Sequence, residues 1–195
     1  MKTDVILVSS RGNHIDTALE QAEKVAAYKG LSPKNTIHLR LLTEEMMGMM
    51  RSITGETEGK FWIEDEDDVY QLHLLVEVRL DYEKREKLIA ASTSGVNEAA
   101  KGLMGKIRTF FDVSEDVGVS SAFFMPGGLE MTHDSIGWSM LDYRAALEER
   151  VASRDKSAEE AWDELEKSVV SHVADDIKVN VKGRRAELII IKKMA

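Results

Sequence analysis

The feature that most constrains the fold is a strict alternation of apolar and polar residues in the first half of the chain. From residue 72 to residue 80 every second position is apolar, in the order Leu72, Leu74, Val76, Val78 and Leu80. Successive side chains of a strand point to opposite faces, so a period of two predicts a strand in a sheet with one covered face.

Two amphipathic helices precede this strand. Asn13 is a predicted N-cap, and apolar residues then recur at three- and four-residue steps up to Gly30. Ser32 and Pro33 supply a cap and a proline at the first position of a second helix, which extends to about Gly55. Shorter apolar runs predict strands at residues 1–8 and 60–64.

The remainder of the chain adds helices and a C-terminal hairpin. Helical patterns occupy residues 83–91, 97–111, 138–151 and 158–173, and Ser157 is a predicted cap for the last of these. Residues 114–137 are predicted to form a long loop, either a lid or an ordered excursion. Residues 177–182 and 186–191 alternate as two strands. Strands that are largely adjacent in sequence, with helices grouped between them, favour an α+β fold. We therefore expect helices layered on one face of a mostly antiparallel mixed sheet.

Composition narrows the class of protein. A chain of 195 residues, 43% hydrophobic, is of a size to form one domain. The absence of cysteine excludes disulfides and thiolate chemistry. A net charge of −9 with dispersed basic residues argues against nucleic-acid binding. No stretch approaches the roughly 20 apolar residues of a membrane span, so a cytoplasmic protein is expected.

One carboxylate breaks the apolar pattern of the second helix. Glu45 falls three residues after Leu42 and four before Met49, on the predicted buried stripe. In one interpretation it lies at the edge of the stripe and pairs with arginine or solvent, because an unpaired buried charge is costly. In the other it faces a cleft, where reduced solvation suits it to deprotonate water or a hydroxyl.

The surrounding sequence resembles a known helix. The run from Leu39 to Met50, preceded by a strand, a helix and a Gly-Leu-Ser-Pro turn, is similar to the N-box helix of the histidine-kinase-like (GHKL) ATPases, in particular the anti-sigma-factor and serine-kinase branch. The family helix carries a glutamate, matched by Glu45, and four residues later an asparagine that binds magnesium. Met49 occupies the asparagine position, and a thioether is a poor ligand for magnesium.

Two further segments contribute to the resemblance. The predicted strand ending at Asp81 resembles the family strand that leads to an adenine-contacting aspartate, although Tyr82-Glu83-Lys84 replaces the family's glycine-bearing motif. A strand-ending aspartate in a turn is the alternative. Residues 101–107 resemble the second glycine box, in which Gly102 and Gly105 would let backbone amides approach phosphates and Lys101 would add charge. Helix packing is the alternative for the glycines.

The resemblance implies a single GHKL-like domain over residues 1–195, with residues 114–174 as an insertion that compact family members lack. It implies a regulatory protein that binds ATP or ADP and acts through a protein partner, with homodimer formation compatible. With Met49 at the magnesium position, kinase or ATPase activity is expected to be weak or lost, as in a pseudo-enzyme.

Two alternatives remain open from the sequence. In the first, the scaffold binds no nucleotide and serves as an interaction module, with Trp138, Tyr143, Leu147 and Trp162 as anchors unless they pack in the core. In the second, the chain is an α+β enzyme of unrelated type. The five histidines show no shared metal-ligand spacing and are expected at the surface or at edges, and the acidic run at residues 64–68 predicts a solvated turn.

Overall fold

The computed structural model describes residues 1–9, 14–54, 58–77, 129–132, 135–182 and 185–194. The elements in chain order are β1 (Ile6–Ser9), α1 (His14–Lys29), α2 (Pro33–Thr54), β2 (Glu58–Glu66), β3 (Val69–Glu77), β4 (Leu129–Thr132), β5 (Ser135–Ser139), α3 (Met140–Ala152), α4 (Lys156–Glu166), α5 (Val169–Val173), β6 (Asp176–Lys182) and β7 (Arg185–Lys193). The predicted α+β class is confirmed.

The strands form one seven-stranded sheet in the order β1-β2-β3-β7-β6-β5-β4. Every pairing among the described strands is antiparallel, so this part of the sheet contains no parallel pair of the mixed kind expected. Two hairpins, β2–β3 and β6–β7, lie side by side at its centre. The C-terminal hairpin agrees with the alternation in the sequence.

One face of the sheet, called here the inner face, holds the hydrophobic core. The cross-strand row Phe61, Leu74, Leu188 and Val179 is at most 3% exposed. Each described helix contributes buried side chains to the same cluster, for example Ala22 of α1, Leu42 of α2 and Leu147 of α3. Helices and alternating apolar positions therefore meet on a single face, as the period of two predicted.

Local signals set several helix ends. α2 begins at Pro33, and the Ser32 hydroxyl accepts a hydrogen bond from the Asn35 amide at 3.3 Å. α1 ends before Gly30, whose φ of +62° is readily available to glycine. At α4 the capping residue is Asp155 rather than Ser157, because its carboxylate accepts from the amides of residues 157 and 158. Hydrogen bonds from Ser157 and Arg150 lower the pKa of Asp155 to about 2.

Three sequence-based boundaries are wrong. Residues 129–132 and 135–139 form the paired strands β4 and β5, so the expected loop at 114–137 contains ordered structure and its predicted end is wrong. Trp138 lies in β5, so α3 begins only at Met140. The helix expected at 158–173 is two helices, separated at Lys167 and Ser168. The helices predicted at residues 83–91 and 97–111 lie outside the described residues.

The aromatic residues suggested as partner anchors are mostly core residues. Trp138 is 6% exposed and Tyr143 7%, with their rings 5.9 Å apart, and Leu147 is 1% exposed. Trp162 is half-buried and donates its indole N–H to Glu166 at 2.9 Å. Tyr143 and Leu147 of α3 and Trp138 of β5 thus pack in the core, which confirms the core-packing alternative for three of the four.

Candidate functional site

The candidate site is the side of α2 that faces away from α1. Arg40 marks the α1 side, because its guanidinium forms an ion pair with Glu23 of α1. Glu45 follows Arg40 by five residues, which places it about 140° further around the helix. Glu45 is half-buried at the border between the apolar stripe and the exposed surface of α2.

Glu45 differs from its neighbour in its contacts. The Glu44 carboxylate lies 3.4 Å from the Arg40 guanidinium, in an exposed pair within one turn. Among the described residues, Glu45 has no hydrogen-bond or ion-pair partner. The Glu45 carboxylate oxygens are not among the buried side-chain atoms that lack a partner, so they are open to solvent. Of the two sequence interpretations, the first expected an edge position with arginine or solvent as the partner. The edge position and a solvent-accessible carboxylate are observed, and the described residues supply no arginine partner.

A histidine lies two turns before Glu45 on the same side of the helix. His38 is half-buried, and its Nδ1 atom is buried without a hydrogen-bond partner. Burial lowers the pKa of His38, and the positive charges of Lys192 and Lys34 lower it further. This side of α2 therefore combines a free carboxylate with a histidine that favours its neutral form.

Met49 lies in the hydrophobic core. Its side chain is 2% exposed, and Met46, Met47 and Met50 are also at most 2% exposed. A buried thioether among apolar side chains offers no oxygen to a hard cation. The position expected to bind magnesium in a GHKL protein thus serves packing in this chain. Groups of three or more metal-binding side chains do not occur in the part of the chain that the structure describes.

The other predicted site residues are Asp81, Lys101, Gly102 and Gly105, and all four lie outside the described residues. β3 ends at Glu77, four residues before Asp81. The structure consequently describes one of the predicted site residues, Glu45, and the roles assigned to the remaining four stay predictions.

Sequence reasoning missed a polar cluster on the opposite, outer face of the sheet. The rings of Trp62 and His73 stack at a centroid distance of 4.7 Å and an interplanar angle of 6°. His73 is 7% exposed, its Nδ1 lies 3.0 Å from a Glu187 carboxylate oxygen, and its Nε2 is buried without a partner. The expectation of a surface or edge position is therefore wrong for His73.

The position of the β2–β3 turn could have predicted the contact between Trp62 and His73. The β2–β3 turn is formed by Asp67 and Asp68, which have φ values of 48° and 63°. Trp62 and His73 are equidistant from that turn, so antiparallel register pairs them directly. The acidic run at residues 64–68 predicts the turn, but it does not show that Asp67 and Asp68 are its central residues. Those two residues set the register of the β2–β3 pairing.

The acidic run also contains a buried charge. Asp65 is 6% exposed, and one carboxylate oxygen lies 2.5 Å from the Lys29 ammonium at the end of α1. Burial by itself would raise the pKa of Asp65, but the hydrogen bonds from Lys29 and the Met1 amino group outweigh it, so this pKa lies below its ordinary value. The pair ties α1 to the β2–β3 hairpin.

Comparison of the chain with protein-family models, curated proteins and solved structures finds no match. Within the described residues, no helix combines the length and apolar character that crossing a membrane requires.

Proposed function

We propose that this protein is a cytoplasmic, nucleotide-binding regulatory protein of GHKL type, weak or inactive as a kinase or ATPase. It would bind ATP or ADP beside α2 and act through a protein partner, as anti-sigma factors and two-component regulators do. The observation that carries the proposal is Glu45, half-buried and without a partner on the side of α2 away from α1.

The arrangement of elements supports this assignment. α2 lies in the helix layer over the inner face, beside α1, and contacts β3. β3 runs toward the predicted adenine-contacting residue Asp81, and the predicted phosphate-binding residues follow later in the chain. Glu45 lies about 140° around α2 from Arg40, the residue that pairs with α1, so a ligand can reach its half-buried carboxylate without displacing α1. α2 also contacts α5.

Magnesium does not fit the residues of α2. The buried Met49 side chain cannot act as the oxygen ligand that the family asparagine provides. Nucleotide binding in this protein is therefore proposed to proceed without magnesium bound to α2, and no catalytic step is assigned.

The test is thermal unfolding of the purified protein with ATP or ADP, each with magnesium and with EDTA. A ligand at about a hundred times its dissociation constant adds about 2.7 kcal/mol, which raises Tm by about 5–10 °C for a chain of this size. We expect a rise in Tm that persists in EDTA. No rise with either nucleotide would reject the proposal, and a rise only with magnesium would reject its metal-independent form.

Matched variants connect the Tm shift to the site. Asp81→Ala should remove the shift because it removes the predicted acceptor for adenine, whereas Asp163→Ala on the exposed surface of α4 should leave it unchanged. Glu45→Gln should alter nucleotide affinity. Glu44→Gln should not, because the Glu44 carboxylate is paired with Arg40. Equal effects of Glu45→Gln and Glu44→Gln would show that Glu45 does not contact the nucleotide.

A further inference from the structure

β1 forms one edge of the sheet, and its neighbour among the described strands is β2 alone. Backbone groups of successive residues in a strand point alternately to its two sides, so the pairing with β2 shows which groups face the edge. The Thr3 amide donates to the Ile63 carbonyl at 2.9 Å. Phe61 has the same direction as Ile63 in this alternation, and its partner in β1 is Ile6. The amide and carbonyl of Leu7 therefore point away from β2, toward the edge.

The side chains along this edge are open to solvent. Leu7 is 64% exposed and Val5 is 51% exposed, whereas Val8 faces the core at 1%. An edge strand with free backbone groups is a template for pairing with another strand, and proteins commonly cover or interrupt such edges. The exposure of Leu7 and Val5 shows that this part of the edge is accessible to a partner.

Helix α1 forms a wall above the inner side of the edge. α1 contacts β1, whereas α2 contacts β3 nearer the centre of the sheet. Glu23 of α1 pairs with Arg40 of α2, and Gln21 lies about 160° around α1 from Glu23, on the side toward the edge. The Gln21 side-chain amide donates to the Asp4 carbonyl, just before β1, at 2.7 Å. Tyr28 lies two turns after Gln21 on the same side and is 79% exposed.

We propose that the edge of β1 binds an extended segment of a partner protein, which adds a strand to the sheet. An extended backbone presents donors and acceptors at the spacing of β1, and these main-chain hydrogen bonds supply the affinity. Side chains alternate across the added strand, so its inner side chains contact Ile6 and Tyr28 and its outer side chains contact Leu7. The segment therefore carries apolar or β-branched residues at its centre.

A second copy of this chain does not fit the edge in the same way, because α1 lies over β1. Antiparallel two-fold pairing of two β1 edges would place the two strands about 4.8 Å apart, with both α1 helices on one face of the joined sheet. Packed helices need about 8–10 Å between their axes. A segment without a helix above it avoids this clash, so the occupant is a strand of a different protein.

This inference rests on the protein-partner part of the proposed function and is independent of the nucleotide site. The probe is a phage-displayed library of random peptides of about ten residues, which extend to about 33 Å and so exceed the length of β1. The library is selected on the full wild-type chain. Enriched peptides should carry apolar or β-branched residues at alternate central positions. They are then synthesised with a fluorescent label, and Kd is measured by anisotropy.

Variants separate strand addition from other modes of binding. Leu7→Pro removes the outward amide and should weaken peptide binding at least about tenfold, whereas Leu7→Ile keeps the amide and an apolar side chain and should bind as wild type does. Tyr28→Ala should weaken binding at least about threefold. Ile37→Ala, at a 63% exposed apolar residue of α2, is the matched control and should have no effect.

Two backbone measurements complete the test. N-methylation of the peptide should block binding only at every second residue, because alternate amides of the added strand point toward β1. Hydrogen exchange of the Leu7 amide should slow at least about tenfold when peptide is bound, because that amide gains a hydrogen bond. These two measurements use the wild-type chain, so they decide the matter even if Leu7→Pro does not fold by circular dichroism.

Three results would overturn the proposal. The first is a selection that enriches no peptide. The second is binding with unchanged exchange at Leu7 or without the period of two in the N-methyl series, because the peptide would then bind elsewhere. The third is self-association of the wild-type chain that Leu7→Pro abolishes, which would assign the edge to a second copy. A rise in Tm with nucleotide alongside any of these results would leave the proposed nucleotide site intact, so the two proposals fail separately.

Discussion

The two faces of the sheet use the same strands in different ways. Inner-face residues such as Leu72 and Ile190 are fully buried beneath helices, whereas the outer face keeps Leu75 and Ile189 half-buried between charges. Apart from the Tyr70 phenol, the buried ionisable side chains of β2 and β3 are Asp65 on the inner face and His73 on the outer face. The comparison shows that apolar residues of one strand are buried to different degrees, according to whether the helix layer covers their face.

Two adjacent leucines of β3 give the largest expected contrast. Leu74→Ala, on the inner face at 1% exposure, should lower the free energy of unfolding by about 3–4 kcal/mol, because it removes buried methyl groups and leaves a cavity. Leu75→Ala, on the outer face, should cost about 1 kcal/mol. Urea unfolding of both variants at low protein concentration measures the difference. Equal losses would mean that the two faces are equally buried.

The Asp65–Lys29 pair gives the next contrast. Asp65→Asn should destabilise the protein by about 2 kcal/mol at neutral pH, because it leaves Lys29 without its carboxylate partner. Glu64→Gln, on the outer face and paired with Lys2, should cost less than about 1 kcal/mol because that ion pair is exposed. Urea unfolding at neutral pH compares the two variants.

The pH dependence of the same pair has a defined sign. The folded pKa of Asp65 is depressed, so its stabilisation is complete above the ordinary value of 3.8 and is lost as the pH falls through the folded pKa. Wild type should therefore lose stability on acidification more steeply than Asp65→Asn does. Parallel pH profiles for the two proteins would contradict this assignment.

Glycine-to-alanine changes test packing at two positions. A Cβ at Gly59, on the inner face of β2, would lie 3.0 Å from Leu74 Cδ1 and 3.3 Å from the Leu75 carbonyl oxygen. Gly59→Ala should therefore cost about 1–2 kcal/mol. A Cβ at Gly48, on the exposed side of α2, meets nothing within 4 Å, so Gly48→Ala should stabilise by about 0.5–1 kcal/mol. Thermal unfolding that shifts both variants in one direction would contradict the packing.

The smallest effect is expected for the outer-face histidine. His73→Leu removes the hydrogen bond to Glu187 and also the buried Nε2 that lacks a partner, so the two changes should offset to within about 1 kcal/mol. Leu188→Ala, one residue from Glu187 but on the inner face, is the reference for a core loss. A His73→Leu cost equal to that of Leu188→Ala would show that the Trp62 stack is a main source of stability.

Much of the architecture was predictable because it follows from local rules. The period of two in β3, the Ser32-Pro33 start of α2 and Gly30 at the end of α1 each act within a few residues. Strands β4 and β5 were missed, since short pairings depend on partners distant in sequence. Of the candidate site, Glu45 was recognised by its misfit to the apolar pattern. Its lack of a partner was not, because that depends on what surrounds α2.

The sequence by itself determined the class of fold and the face of each central strand that enters the core, because alternation and helical spacing set side-chain direction residue by residue. The tertiary structure decided which charges would be buried. Asp65 and Lys29 meet only when α1 docks on the β2–β3 hairpin, and His73 stacks on Trp62 only in the register set by Asp67 and Asp68. Asp65 and Lys29 are far apart in the chain, and no local pattern encodes the burial of either pair.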